Sequence, residues 1–65
     1  MDYKMTVHYK NEEVDVFEVE FGVHDLPTVT TLEINALIFD DDKGNEVCIF
    51  LDAVQKIEFE ELDND

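Results

Sequence analysis

A small all-β fold is what this sequence predicts, and three observations carry that prediction. Apolar and polar residues alternate strictly from Tyr3 to Tyr9. Short apolar runs are separated by polar connections at Asn11-Glu12-Glu13 and at Asp40-Asp41-Asp42-Lys43-Gly44-Asn45. Hydrophobic residues make up 45% of the 65 positions, with only two Gly and one Pro, which argues for a packed core and against disorder. The expected architecture is about five short antiparallel strands in a curled sheet or small open barrel. Residues 1–62 read as one small acidic β domain, and 63–65 as a disordered acidic tail.

In the first strand Tyr3, Met5, Val7 and Tyr9 share one face, while Lys4, Thr6, His8 and Lys10 share the other, the pattern of a half-buried strand. Val14 to Phe21 resumes the β pattern with a change of phase. Val14 and Val16 lie on one face, and Phe17, Val19 and Phe21 on the other. A β-bulge near Val16 and Phe17 would bring both sets to the core, leaving Asp15, Glu18 and Glu20 in water. Gly22 to Thr30 contains the only proline and reads as irregular loop.

Alternation returns from Thr31, and Ala36 to Phe39 is apolar on both faces, as in a strand covered on both sides. The Asp40 to Asn45 turn has Gly44 and Asn45 available for positive φ, and Glu46 to Leu51 returns as the hairpin's second arm. Residues 52–62 allow two readings. Asp52-Ala53-Val54-Gln55 fits a helix start, whereas Lys56 to Glu60 alternates like a strand. A tight turn followed by a strand is the favoured reading. The alternative is an α+β fold with a short helix at 52–62 packed on the sheet.

Composition narrows function more than any motif does. Eighteen residues are Asp or Glu, four are Lys and none is Arg, so the formal net charge is -14 at pH 7. Solubility requires a magnitude of only about 2 to 8 in a small domain, and the surplus opposes compaction by self-repulsion. Its most direct use is to meet a strongly basic surface, and such surfaces are commonly built to hold nucleic acid. Four scattered lysines cannot themselves grip phosphates, so direct binding to DNA, RNA or anionic membrane is not expected.

Other chemistries find little support. Cys48 is the only cysteine, so no intramolecular disulfide can form, and an intracellular, cytoplasmic setting is expected. The amino terminus lacks the pattern of a signal peptide, and the short chain beginning at Met1 reads as a complete gene product. If Gly44 took position six of a calcium loop, positions one, five and twelve would be Phe39, Lys43 and Phe50, which fails as a ligand set. His8, His24 and Cys48 are too scattered for zinc, and Cys48 between Val47 and Ile49 reads as a small buried hydrophobe. With no Ser and no Gly-rich phosphate loop, the expectation is a protein without catalysis, cofactor or metal.

Carboxylates two apart on a strand lie about 6.6 to 6.8 Å apart on one face, close to the path length between successive phosphates of a nucleic-acid strand. The expected partner-binding residues are Asp15, Glu18, Glu20, Asp40, Asp41, Asp42, Glu58, Glu60 and Glu61. The expected function is an acidic, nucleic-acid-mimicking inhibitor that occludes the basic groove of a DNA- or RNA-binding protein or nuclease, as monomer or homodimer. A non-catalytic β interaction or assembly module, structural or regulatory, is the alternative. In size, acidity and β pattern the chain resembles the small acidic inhibitors that bacterial viruses direct against host nucleic-acid enzymes, such as anti-CRISPR proteins and uracil-DNA glycosylase inhibitors. That resemblance implies steric and electrostatic occlusion without turnover, and it carries over no residue.

Because self-repulsion opposes folding, raising salt from about 10 mM to about 300 mM, which shortens the screening length from about 30 Å to well under 10 Å, is expected to raise the melting temperature. A melt unchanged by salt would contradict the argument.

Overall fold

A computed structural model describes residues 2–62; the tail at 63–65 lies outside the described residues. The chain forms two three-stranded antiparallel sheets that share one core. The first has the order β2-β1-β6, from β1 (Tyr3–Tyr9), β2 (Val14–Val19) and β6 (Val54–Glu61). The second has the order β3-β4-β5, from β3 (Thr30–Thr31), β4 (Ala36–Asp40) and β5 (Glu46–Phe50). The mostly β character therefore matches expectation. The single curled sheet is replaced by two small sheets that do not close into a barrel.

Both tight hairpins use the same device. In the first, the Tyr9 N–H donates to the Glu13 carbonyl and the Glu12 N–H to the Tyr9 carbonyl, with Glu12 at φ 73°. In the second, the Asp41 N–H donates to the Asn45 carbonyl and the Gly44 N–H to the Asp41 carbonyl, with Gly44 at φ 83°. Each is a three-residue loop whose last residue is left-handed. Glycine takes that conformation without strain, whereas Glu12 does not.

Between β2 and β3 the expected irregular loop is a 3-10 turn at Val23–Asp25 running into a single helical turn, α1 (Leu26–Val29). Pro27 sits in the first turn of α1, where its missing N–H is no loss, and the Thr30 hydroxyl donates to the Leu26 carbonyl. Gly22 is needed for close packing, since a Cβ there would stand 3.0 Å from the Tyr3 ring. Beyond Thr31 the alternation that runs to Asn35 does not continue as a strand. Asn35 takes φ 52° and its N–H bonds the Leu32 carbonyl, so the chain turns and leaves Leu32 85% exposed.

The alternative helix at 52–62 is absent. A 3-10 turn at Leu51–Ala53 leads into β6, which pairs with β1 along its whole length. The expected bulge is also displaced. The β1–β2 ladder runs without a register shift, so Val14 and Val16 stay on the outer face, 50% and 55% exposed. The irregularity occurs between β1 and β6 instead, where His8 faces Lys56 but Tyr9 faces Val54. The extra residue, Gln55, restores the phase of the pattern and lets Val54 pack against the core with Ile57 and Phe59.

The core joins Met5, Val7 and Val19 of the first sheet to Leu37, Phe39 and Ile49 of the second. As expected, β4 is the central strand of its sheet, with Ala36, Leu37 and Phe39 buried. Cys48 departs from expectation. It is exposed, because β5 turns Val47 and Ile49 inward and Glu46, Cys48 and Phe50 outward.

Two substitutions of opposite sign test the hairpin geometry. Glu12→Gly should stabilise the fold by about 1 kcal/mol, and Gly44→Ala, with nothing within 4 Å of the added methyl group, should destabilise it through backbone strain alone. Thermal melts that move both variants in one direction would refute the left-handed-loop explanation. Leu37→Ala should cost about 2 to 5 kcal/mol, measured by urea unfolding.

Candidate functional site

The end of β2 and the chain beyond it run beside the β4–β5 hairpin, and between them lies an open groove of about 720 Å³. Val19, Phe21, Val29 and Phe39 contribute its apolar lining, and Asp2, Glu18, Glu20, Asp40, Asp41 and Asp42 its acidic lining. No Lys or His side chain lines it. The arrangement follows from the strands. The pairing of Tyr3 with Val19 brings the residues just before β1 and just after β2 side by side, and Phe39 links β4 to Phe17 and Phe21 through edge-to-face ring contacts at 5.3 and 5.5 Å. Those contacts hold the β4–β5 hairpin beside the end of β2.

Within this set Asp41 serves the turn. Its carboxylate accepts the N–H groups of Lys43 at 2.9 Å and Asn45 at 2.8 Å, and the Asn45 side-chain amide at 3.4 Å. Led by the Asn45 backbone bond, these donors hold its carboxyl below the ordinary 3.8. Asp40 and Asp42 flank it on the exposed hairpin.

The structure thus gathers Glu18, Glu20, Asp40, Asp41 and Asp42 of the expected partner-binding residues and adds Asp2. Asp15, Glu58, Glu60 and Glu61 lie elsewhere. Asp15 accepts the Tyr9 hydroxyl at 2.9 Å near the first hairpin; burial first, then that bond and the negative charge of Asp15, push the Tyr9 hydroxyl up to about 12. Glu58 pairs with His8, Nε2 to Oε1 at 2.5 Å, and His8 is half-buried rather than facing open water. That bond, followed by the Lys56 charge, lowers the Glu58 carboxyl. Glu60 has Lys4 Nζ at 3.9 Å, and Glu61 is exposed at the end of β6, opposite Tyr3.

The outer face of the first sheet is therefore mixed in charge, while the charged residues lining the groove are all acidic, with Lys43 on the hairpin beside them. Asp2 is the residue that strand patterns missed. Its place depends on the pairing of β1 with β2 in a specific register, and the local sequence Met1-Asp2-Tyr3 holds no other signal.

Among the described residues no group of three or more His, Cys, Asp or Glu side chains is placed to hold a metal ion, and no helix is long and apolar enough to cross a membrane. Comparison with known proteins finds no matching family, no matching curated protein and no matching solved structure.

The lowered Asp41 pKa has a signed consequence. A carboxylate whose pKa falls on folding stabilises the fold above its unfolded value and loses that contribution as pH falls through the folded value. The stability gap between the wild type and Asp41→Ala should be full near neutrality and should shrink as pH drops below about 3.8. A gap constant from neutral pH to strong acid, followed by chemical denaturation, would contradict it.

Proposed function

We propose that this chain is a non-catalytic acidic binding protein that occludes the basic groove of a nucleic-acid-binding protein or nuclease. The observation that carries the reading is the convergence of six carboxylates on one groove with no basic side chain among its lining residues. A partner built for phosphates offers Lys and Arg spaced along a cleft. Their aliphatic stems can lie on Phe21, Val29 and Phe39 while the charged heads reach the acidic residues around them. Occlusion is steric and electrostatic, and contacts of this kind weaken steeply with salt. The chemistry is that expected of the phage-encoded inhibitors the sequence resembles.

A second reading, an assembly module, draws on one specific feature. The outer side of β5 shows Cys48 and a 57% exposed Phe50 at the edge of the second sheet, which could cover the same strand of another copy. Sedimentation over a range of protein concentrations separates the two, since assembly requires the mass to rise.

For the first reading, Glu18→Gln, Glu20→Gln, Asp40→Asn and Asp42→Asn should be combined, sparing Asp41 because it holds the turn. Basic nucleic-acid-binding proteins captured by the wild-type chain should be displaced by added duplex DNA and by salt. They should not be captured by the quadruple variant, whose circular dichroism should match the wild type. Capture that survives the substitutions, or that is indifferent to DNA, would overturn the proposal.

A further inference from the structure

The first sheet leaves two valines of β2 without use in the core. Val14 and Val16 are 50% and 55% exposed, and β2 pairs with β1 alone. The bond from the Tyr9 N–H to the Glu13 carbonyl fixes the phase of that ladder. Hydrogen-bonded and non-hydrogen-bonded pairs alternate along an antiparallel pair, so the main-chain groups of Asp15, Phe17 and Val19 turn toward β1. Those of Val14, Val16 and Glu18 point off the edge.

That edge has an unusual composition for one exposed to water. Edge strands are ordinarily blunted by lysine, proline or a bulge, and β2 has no lysine, no proline and no register shift. Its acids remain as the one deterrent, and they deter only other acidic chains. We propose that the β2 edge is a docking site for an extended segment of a basic partner, added as a fourth strand to the first sheet.

Charge selects that occupant. The far end of β2 runs into the groove lined by Glu18, Glu20, Asp40 and Asp42, so a strand laid along the edge is led to the acidic site. A second copy would set one net charge of -14 against another. The segment that fits alternates apolar residues beside Val14 and Val16 with Lys or Arg on the opposite face, beside Asp15, and carries further Lys or Arg where its end reaches Glu18 and Glu20, which follow the valines on their own face. Main-chain bonds would give affinity and the alternation would give register. The inference takes the sign of the partner's charge from the proposed function and adds a backbone contact to it.

The test uses the whole chain, with amide hydrogen exchange followed by NMR. The probes are a synthetic peptide alternating valine and lysine, and the same peptide N-methylated at every other residue, which keeps the charge but cannot pair along one edge. The valine-lysine peptide should slow exchange at the Val14, Val16 and Glu18 amides by about tenfold or more. The methylated peptide should not, and Phe17 and Val19 should be protected throughout. Val16→Pro, which removes an outward-pointing donor without breaking a bond to β1, should abolish the added protection. If the proline variant does not fold, Val16→Lys, which keeps the donor but sets a cation on the edge against the basic strand, should weaken the added protection.

Binding of both peptides with no protection at the edge would overturn strand addition and leave the electrostatic reading standing. Edge protection that persists in the groove quadruple variant would support docking while counting against the groove as the partner site. Protection that appears without peptide and grows with protein concentration would identify a second copy as the occupant and overturn the choice of partner. No binding of either peptide would overturn strand docking and the basic partner together.

Discussion

Everything in this fold depends on a string of aromatic rings that holds two sheets together against their own charge. Phe17 meets Phe39, Phe39 meets Phe21, Phe21 meets Phe59 and Phe59 meets Tyr3, all edge-to-face with centroids 5.3 to 6.3 Å apart. Phe39 is the second sheet's member of the string; Phe17 and Phe59 sit on strands of the first sheet, as does Tyr3. Such contacts combine large apolar burial with a directional preference of about 0.5 to 1.5 kcal/mol per pair. Their importance here comes from what opposes them. A chain of 65 residues with a net charge of -14 has little surplus stability, and the rings add to the aliphatic contact between Met5 and Val7 on one sheet and Leu37 and Ile49 on the other.

The same constraint explains where the acids lie. Carboxylates cannot enter a core held by rings, and no charged side chain is buried among the described residues. They collect at strand ends, on hairpins and on outer faces. On the outer face of the first sheet, Lys4 and His8 stand beside Glu60 and Glu58 and temper the local field. Beyond the end of β2 the charged residues that line the groove are all acidic, with Lys43 beside them on the hairpin, so the balance there is strongly negative. The acidic groove is thus the place where carboxylates most outnumber the chain's few positive charges, and the fold puts an apolar floor beneath it.

How far the sequence reveals this depends on the range of the interactions concerned. The first strand, the Asp40 to Asn45 hairpin and the alternating Lys56 to Glu60 strand are legible because turn chemistry and period-two patterning act between near neighbours. Val14 and Val16 mislead because their apolar character suggested a core position, and only the continuous β1–β2 register shows that the sheet turns them outward. Gln55 is the converse case. Its bulge is invisible locally and becomes evident once Val54 and Ile57 are both seen packed against the core. Leu32 and Ile34 alternate like strand residues, yet the left-handed Asn35 turns the chain before they can pair. Of the site, the hairpin acids and Glu18 with Glu20 could be singled out from sequence, but their convergence depends on how the two sheets pack.

Phe39 belongs to two structures at once. It is 8% exposed in the core and it lines the groove, and Phe21 is likewise both a ring in the aromatic string and part of the groove wall. The floor of the groove is the outer skin of the folding core. A cationic ligand that covered it would favour the native state, which alone presents this surface, by removing apolar area from water and diluting a repulsion that the unfolded chain spreads over a larger volume. On the proposed function, recognition and folding are linked equilibria in this molecule. Selection for a better grip on a basic partner and selection for a steadier fold would then act on the same few side chains, and neither property could drift far without the other.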